Sequence, residues 1–321
     1  MSQQEAVDAA FLPTLDLSRL VSSDAEERQK LVRACEVYGF FYLDLRSDAE
    51  LIALWTGVLD LMGQYFNLSL DEKMRDSRNS DTHGYEPVAT STGAQDDLPD
   101  YYESLKASRD EVLTQSSKLA PAVKANHALL NRFIERAHAV TMMILRQLSI
   151  ALELDDSHKF EAFHRHSEES LSTLSMFRYP KQEVLDVGVG HNKHTDIGTL
   201  TFLLCQQQGL QVLSKDPVGW RFVQPLPGCA VINVGDTLRF LSGSRFRSAV
   251  HRVIPVDQLQ RQDRFSIAYF LRAENNATLN AVGGRTVSAK DWHDEKFDVF
   301  RKSREAQASD DVLTGGMERD M

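Results

Sequence analysis

Hydrophobic positions recur with two different periods along the chain, and the period changes near residue 170. Before that point, apolar residues recur every three or four positions within residues 51–66 and 122–154, as on one face of a helix. After it, short β-branched and aromatic runs are separated by Pro, Gly, Asp and Ser, which is typical of a β-sandwich or barrel. The pattern predicts a mainly β core with flanking helices, the longest of them over residues 122–154.

Composition and charge narrow the class of protein. Of 321 residues, 42% are hydrophobic and 26% are charged, which is ordinary for a globular protein. The formal net charge of −10 argues against nucleic-acid binding, because such surfaces are usually basic. Three cysteines without a CxxC pair indicate neither a zinc ribbon nor a disulfide framework. The N-terminal residues do not resemble a signal peptide and no apolar run is long enough for a membrane helix, so we expect a cytoplasmic protein without a membrane partner.

The candidate chemistry lies within residues 190–204. There, His194-Thr195-Asp196 leads into a β-branched, apolar segment. Side chains two apart in a strand project from the same face, so His194 and Asp196 can reach one ion while Thr195 points away. His251, in another strand-like run, is the candidate for a third ligand. Two histidines and one carboxylate on one side of an ion are typical of non-haem Fe(II) oxygenases.

Other histidine clusters fit this pattern less well. Residues 164–168 precede the strand-like runs, and residues 293–295 fall in a predicted helix, where positions i and i+2 point apart. His191 has no carboxylate two residues after it. We therefore select His194 as the ligand.

An Arg264-x-Ser266 pair follows His251 in the next strand-like run. The triplet, His251 and this pair together resemble the 2-oxoglutarate- and Fe(II)-dependent dioxygenases, and within them the isopenicillin N synthase-like branch. The segments GTLTFLL, GLQV, VINVGDTLRFLS and YGFFYL carry the same resemblance, which extends over about residues 12–272. It implies a double-stranded β-helix, or jelly roll, supported by N-terminal helices, and metal ligands inside a β structure favour the same fold.

The resemblance also implies roles for individual residues. The iron ligands of the family correspond to His194, Asp196 and His251 in this chain. Arg264 and Ser266 correspond to the pair that binds the distal carboxylate of 2-oxoglutarate, and Tyr179 to a tyrosine that helps to hold it. The family often has Asn two residues before that tyrosine; here the residue is Phe177, which we interpret as a pocket wall.

Four aromatic residues are candidates for substrate contact: Phe177, Phe270, Tyr85 and Tyr102. Phe270 shares a strand face with Arg264 and Ser266, because side chains alternate along a strand. Tyr85 and Tyr102 lie in residues 71–110, a polar stretch with embedded aromatics that we interpret as a lid rather than a disordered linker.

The function implied by the resemblance is that of an oxidoreductase dependent on Fe(II), 2-oxoglutarate and O2. It would hydroxylate, desaturate or cyclise a small organic molecule through a ferryl intermediate, releasing succinate and CO2, in secondary metabolite biosynthesis. One alternative keeps the iron but not 2-oxoglutarate, as in isopenicillin N synthase and aminocyclopropane-carboxylate oxidase. Another is a zinc hydrolase, although the chain contains no HExxH helix. A third is a non-catalytic jelly-roll binding protein.

We expect one functional unit made of four parts. Residues 10–110 form an N-terminal helical and lid region, and residues 120–155 contain the long supporting helix. Residues 168–275 form the jelly-roll core that carries the site. Residues 286–321 form a C-terminal helix and tail.

Overall fold

A computed structural model of the chain describes residues 9–90, 98–183, 190–215, 218–256, 259–302, 304–308 and 310–317. Residues 91–97 of the expected lid and residues 318–321 of the expected tail lie outside the described residues.

Helices dominate the first half of the chain and strands the second. The helices are α1 (Leu17–Val21), α2 (Ala25–Val37), α3 (Ala49–Tyr65), α4 (Leu70–Met74), α5 (Arg109–Leu113), α6 (Pro121–Ala125), α7 (His127–Ala151), α8 (Asp236–Leu241), α9 (Ala289–Phe300) and α10 (Arg304–Ala308). The strands are β1 (Thr14–Asp16), β2 (Phe40–Asp44), β3 (Gly84–Glu86), β4 (Glu103–Ser108), β5 (Thr173–Tyr179), β6 (His191–His194), β7 (Leu200–Cys205), β8 (Leu210–Lys215), β9 (Val218–Phe222), β10 (Cys229–Val234), β11 (His251–Val253), β12 (Arg264–Leu271), β13 (Thr278–Asn280) and β14 (Thr286–Ser288). Short 3₁₀ turns lie at Phe160–Phe163 and Val282–Gly284.

Two sheets form the walls of the β core. The larger has the strand order β1-β2-β10-β7-β12-β5-β4-β3, and the smaller has the order β6-β11-β8-β9. A separate hairpin joins β13 to β14. Apolar residues of β2, β8 and β10, among them Phe40, Val212 and Val231, pack together between the two sheets. The predicted iron ligands and the Arg-x-Ser pair line the inner space between these walls.

The long helix α7 buries its apolar stripe against the outer face of the larger sheet. The stripe consists of Leu130, Phe133, Ile134, Ala137, Ile144, Leu145 and Leu148. Full burial of each large side chain contributes roughly 1.5–3 kcal/mol, so this interface is a main source of stability. The predicted helix over residues 122–154 is divided at Asn126, whose side-chain amide donates to the carbonyl of Ala122 and ends α6. Within the described part of the chain, no helix combines the length and apolarity needed to cross a membrane.

Much of the expected lid belongs to the larger sheet. Strand β4 pairs with β5, and β3 pairs with β4, so residues 71–110 are not one long loop. The polar composition is compatible with strands because the charges are paired. Lys73 lies 2.7 Å from Glu103, and Lys106 lies 2.8 Å from Glu86.

A buried ion pair attaches α9 to the β core. The Lys296 ammonium lies 2.6 Å from a carboxylate oxygen of Asp236 and donates to the hydroxyl of Thr195, also at 2.6 Å. The side chains of Lys296 and Asp236 are both fully buried. The helix that follows the jelly roll is therefore held to the residue between His194 and Asp196.

We expect Lys296→Met to lower the free energy of unfolding by about 3 kcal/mol, because the buried Asp236 carboxylate loses its nearer cation and keeps only Arg239, at 3.7 Å. The matched control is Lys290→Met on the same helix, where both partners of the Lys290–Asp294 pair are about half exposed. That change should cost less than about 1 kcal/mol. Urea unfolding followed by circular dichroism measures both, and equal losses would contradict a stabilising role for the buried pair.

Candidate metal centre

Antiparallel pairing of β6 with β11 places His251 directly opposite His194. The centroids of the two imidazole rings lie 4.3 Å apart. Gly190 makes this close approach possible, since it has a φ of +51° and a Cβ there would overlap the carbonyl oxygen of Val253. Asp196 lies just beyond the end of β6, and its carboxylate nevertheless faces both histidines.

The three side chains direct one ligand atom each to a common point. Their nitrogen and oxygen atoms all lie within 4.8 Å of one another. Nε2 of His194 and Nε2 of His251 each lie 3.6 Å from Oδ1 of Asp196. Among the described residues, this is the one group of His, Cys, Asp and Glu side chains with the geometry of a metal site.

Backbone carbonyls orient both imidazoles. Nδ1 of His194 lies 2.7 Å from the carbonyl oxygen of Asn192, and Nδ1 of His251 lies 3.1 Å from that of Ala249. Each Nδ1–H therefore donates to a carbonyl, which leaves the Nε2 lone pair directed at the common point. Burial lowers the pKa of His251 to about 4, so this imidazole is neutral at neutral pH.

Hydrogen bonds also orient the Asp196 carboxylate. Its Oδ2 accepts from the amide of Asn233 at 2.7 Å and from the hydroxyl of Thr201 at 2.5 Å, which leaves Oδ1 for a metal. Burial alone would raise the pKa of Asp196, but the His251 and His194 imidazoles hold it below its ordinary value. One carboxylate and two imidazoles form a donor set that fits Fe(II).

One cavity is lined both by the candidate metal ligands and by Arg264. Tyr179 and Ser266 line the same cavity, together with the three candidate ligands. The Arg264 guanidinium carbon lies 4.8 Å from the centroid of the Tyr179 ring, and its Nε donates to the carbonyl of Gln208 at 3.0 Å. Nη1 of Arg264 is buried and has no hydrogen-bond partner among the described residues. A buried, unsatisfied guanidinium N–H fits the carboxylate of a bound organic acid.

A second cavity is also lined by His194 and Asp196. The predicted contacts Phe177, Phe270 and Tyr102 line it. His194 and Asp196 line both cavities, as do Phe177 and Phe270, so the two cavities meet at the candidate metal centre.

Tyr85, one of the predicted substrate contacts, lines neither of these cavities. Its hydroxyl donates to Glu103 at 2.5 Å, and its ring packs edge-to-face with Tyr65 at a centroid distance of 6.2 Å. The reason is the alternation of side chains along β3, which directs the neighbouring Glu86 into the second cavity and Tyr85 into the core.

The rejected histidines have other surroundings. His191 stacks between Tyr102 and His194, at centroid distances of 4.9 and 4.5 Å, and lines both cavities without directing an atom at the metal point. His164 is buried between the carbonyl of Phe160 and the hydroxyl of Thr199. His191 therefore belongs to the cavity walls, although it is not a candidate ligand.

The sequence reasoning missed Asn233 and Thr201, which orient Asp196. Both are polar residues within otherwise apolar strands, β10 and β7, and they are near-neighbours because the register pairs them directly. An isolated polar residue within a buried, otherwise apolar strand could have identified each of them as a candidate. Only the strand pairing shows which residue it contacts.

Comparisons with known families and proteins agree on one relationship. A family model for the 2OG-Fe(II) oxygenase superfamily matches residues 162–273, and one described as non-haem dioxygenase in morphine synthesis N-terminal matches residues 12–128. Oxidoreductase vrtI of Penicillium aethiopicum is 61% identical over 97% of this chain and 75% of its own. The 2-oxoglutarate-dependent dioxygenase gloE of Glarea lozoyensis is 47% identical over 99% of this chain and 96% of its own.

Solved structures show the same fold. A full-length Neurospora crassa protein, solved in complex with alpha-KG and thymine, has a TM-score of 0.73 at 22% identity, covering 88% of this chain and 95% of its own. A putative 2OG-Fe(II) oxygenase family protein from Caulobacter crescentus has a TM-score of 0.74 at 22% identity, covering 90% of this chain and 99% of its own. The predicted double-stranded β-helix supported by N-terminal helices is confirmed.

We expect Asn233→Leu to weaken binding of Mn(II) or Fe(II) by about 10–100-fold, because Asp196 loses one of the two hydrogen bonds that orient it. Anaerobic competition against a chromophoric chelator measures the affinity. Asn280→Leu, at an exposed position of β13, is the control and should bind metal like the unmodified protein. A folded Asn233→Leu variant with unchanged affinity would contradict this role.

Proposed function

Because the chain belongs to the 2OG-Fe(II) oxygenase superfamily, we propose that it oxidises a small organic molecule of secondary metabolism at the centre formed by His194, Asp196 and His251. The predicted oxidoreductase class and the predicted use of Fe(II) and 2-oxoglutarate are confirmed by this membership. The reaction class is hydroxylation, desaturation or ring closure of the substrate.

We assign the site from one observation: three ligand atoms converge where two cavities meet. His194, Asp196 and His251 would hold the iron from one side. When bound, the iron supplies the activation of O2, at the expense of 2-oxoglutarate, which leaves as succinate and CO2. Fe(II) with one carboxylate and two imidazoles keeps positions open for a co-substrate.

The first cavity is suited to 2-oxoglutarate. Arg264 contributes a buried guanidinium to its lining, and Ser266 lies on the same face of β12. Burial raises the pKa of the Tyr179 hydroxyl to about 12, so it remains a neutral hydrogen-bond donor. In this assignment Arg264 pairs with the distal carboxylate, and Ser266 and Tyr179 add neutral hydrogen bonds.

The second cavity is suited to the substrate. Phe177, Phe270 and Tyr102 give it aromatic walls that exclude water and position an organic molecule beside the centre. The Neurospora crassa protein was solved with thymine, and JOX2, with a TM-score of 0.72, was solved in complex with 2OG, Fe and JA. These small ligands of proteins with the same fold support a small molecule as the partner of this cavity.

We expect Arg264→Leu to raise the 2-oxoglutarate concentration needed for half saturation by at least about tenfold, since charge-assisted hydrogen bonds are lost. Metal affinity should remain unchanged, because Arg264 contacts no candidate ligand. Calorimetric titration of 2-oxoglutarate into the anaerobic, metal-loaded protein measures the effect. Arg285→Leu, whose guanidinium is half exposed and paired with Glu295, is the control. Normal 2-oxoglutarate binding by Arg264→Leu would show that the assignment of Arg264 is wrong.

We expect Asp196→Ala to abolish both metal binding and succinate formation, because only the two imidazole ligands remain and the carboxylate is lost. The control is Asp294→Ala, at a half-exposed carboxylate on α9. Metal content after dialysis and succinate formation coupled to substrate loss are the two measurements. Turnover that requires iron and O2 without succinate would favour an oxidase that does not use 2-oxoglutarate. Activity retained with Zn(II) in the absence of O2 would favour a hydrolase.

A further inference from the structure

A second arginine lies at the opposite end of the strand that carries Arg264. Inward-facing positions of β12 alternate as Arg264, Ser266, Ala268 and Phe270, and Arg272 is the next position of that series. Eight residues of extended chain span about 26 Å, so the two guanidinium groups serve different ends of the inner space. Arg264 lines the cavity assigned to 2-oxoglutarate, whereas Arg272 lines the other cavity.

The Arg272 side chain is held in place but lacks a counter-ion. The residue is only 9% exposed. Its Nη1 donates to the carbonyl of Leu171 and, at 3.0 Å, to the hydroxyl of Thr173. Its Nε is buried without a hydrogen-bond partner, and no carboxylate of the described residues forms an ion pair with it. The Nε–Nη2 edge of the guanidinium therefore remains available.

The other cations that line this cavity are already neutralised. Lys106 lies 2.8 Å from a carboxylate oxygen of Glu86. Arg301 is paired with Asp81 and lies 3.2 Å from Asp298. Of the cations that line this cavity, Arg272 is therefore the one that forms no ion pair with a carboxylate of the described residues.

The groups near Arg272 compensate its charge only in part. Burial lowers the pKa of His293 to about 3, with the Arg272 charge as a further cause, so His293 is neutral at neutral pH. Burial also lowers the pKa of Arg272, to about 10, against the smaller opposing effect of the Asp196 and Asp81 charges, and the guanidinium stays protonated. The Phe270 ring lies beside the guanidinium, with its centroid 5.3 Å from the guanidinium carbon. An unpaired buried cation is unfavourable, unless a bound anion completes the pair.

We propose that Arg272 binds a carboxylate of the substrate, so that the substrate class is a small organic acid with an aromatic or alicyclic body. This inference rests on the proposed function, which assigns the second cavity to the substrate. The planar guanidinium edge matches the two oxygens of a carboxylate. Phe177, Phe270 and Phe300 provide the apolar surface for the rest of the molecule, between Arg272 and the centre.

The test compares acids with neutral molecules of the same shape. The probes are benzoate, phenylacetate and 3-phenylpropionate, each matched with its carboxamide. They are titrated calorimetrically into the anaerobic Fe(II)-loaded protein after saturation with 2-oxoglutarate, so that the Arg264 cavity is already occupied. At least one acid should bind about tenfold or more tightly than its amide. If no acid binds more tightly than its amide, the proposal is overturned.

Variants test whether Arg272 itself, rather than the overall charge of the cavity, causes the preference for acids. Arg272→Gln should reduce the acid-to-amide affinity ratio to about one, and Arg272→Lys should retain part of it. Arg285→Gln removes a half-exposed cation that is paired with Glu295 and lines neither of the two cavities, so the ratio should stay at the unmodified value. An unchanged ratio in Arg272→Gln would assign the preference to another group and overturn the proposal.

The preceding titration of 2-oxoglutarate distinguishes a failure of the proposed function from a failure of the role proposed for Arg272. If the unmodified protein does not bind 2-oxoglutarate, the proposed function fails. If 2-oxoglutarate binds but acids are not preferred, only the role of Arg272 fails. Normal 2-oxoglutarate binding by Arg272→Gln also verifies that this variant is folded.

Discussion

The register between β6 and β11 is the constraint on which the site depends, because it sets His251 opposite His194. A shift of one residue would turn His251 to the other face of its strand, and the three ligand atoms would no longer meet. Gly190 permits the required approach to Val253, and carbonyls of neighbouring residues then orient both imidazoles. The backbone thus positions both histidines before any ligand is bound.

Buried charges divide into those that stabilise the fold and those that face the cavities. Lys296 is neutralised by Asp236, and the pair ties α9 to the triplet that contains the candidate ligands. Arg264 and Arg272 each keep a buried guanidinium N–H without a partner in the described part of the chain. Such groups lower stability unless a ligand satisfies them, which is the arrangement expected of binding positions.

Side-chain alternation explains which of the predicted site residues face the cavities and which do not. On β12 the even spacing placed Arg264, Ser266 and Phe270 correctly on the inner face. Tyr85 was expected in a loop, where no alternation applies, but it lies on β3 and points into the core. The polar composition of residues 71–110 concealed these strands, since ion pairs such as Lys106–Glu86 join side chains that are separate in sequence.

The sequence by itself determined the change from helical to strand periodicity, the fold class, the metal-ligand motif and the two positions of the Arg-x-Ser pair. These features depend on local spacing or on a motif whose members are recognisable one by one. Only the tertiary structure decided that Asn233 and Thr201 orient Asp196, that Lys296 holds α9, and that Arg272 faces a cavity without a counter-ion. Each of these depends on which distant segments are brought together and on which charges remain unpaired there, and neither property is a function of local sequence.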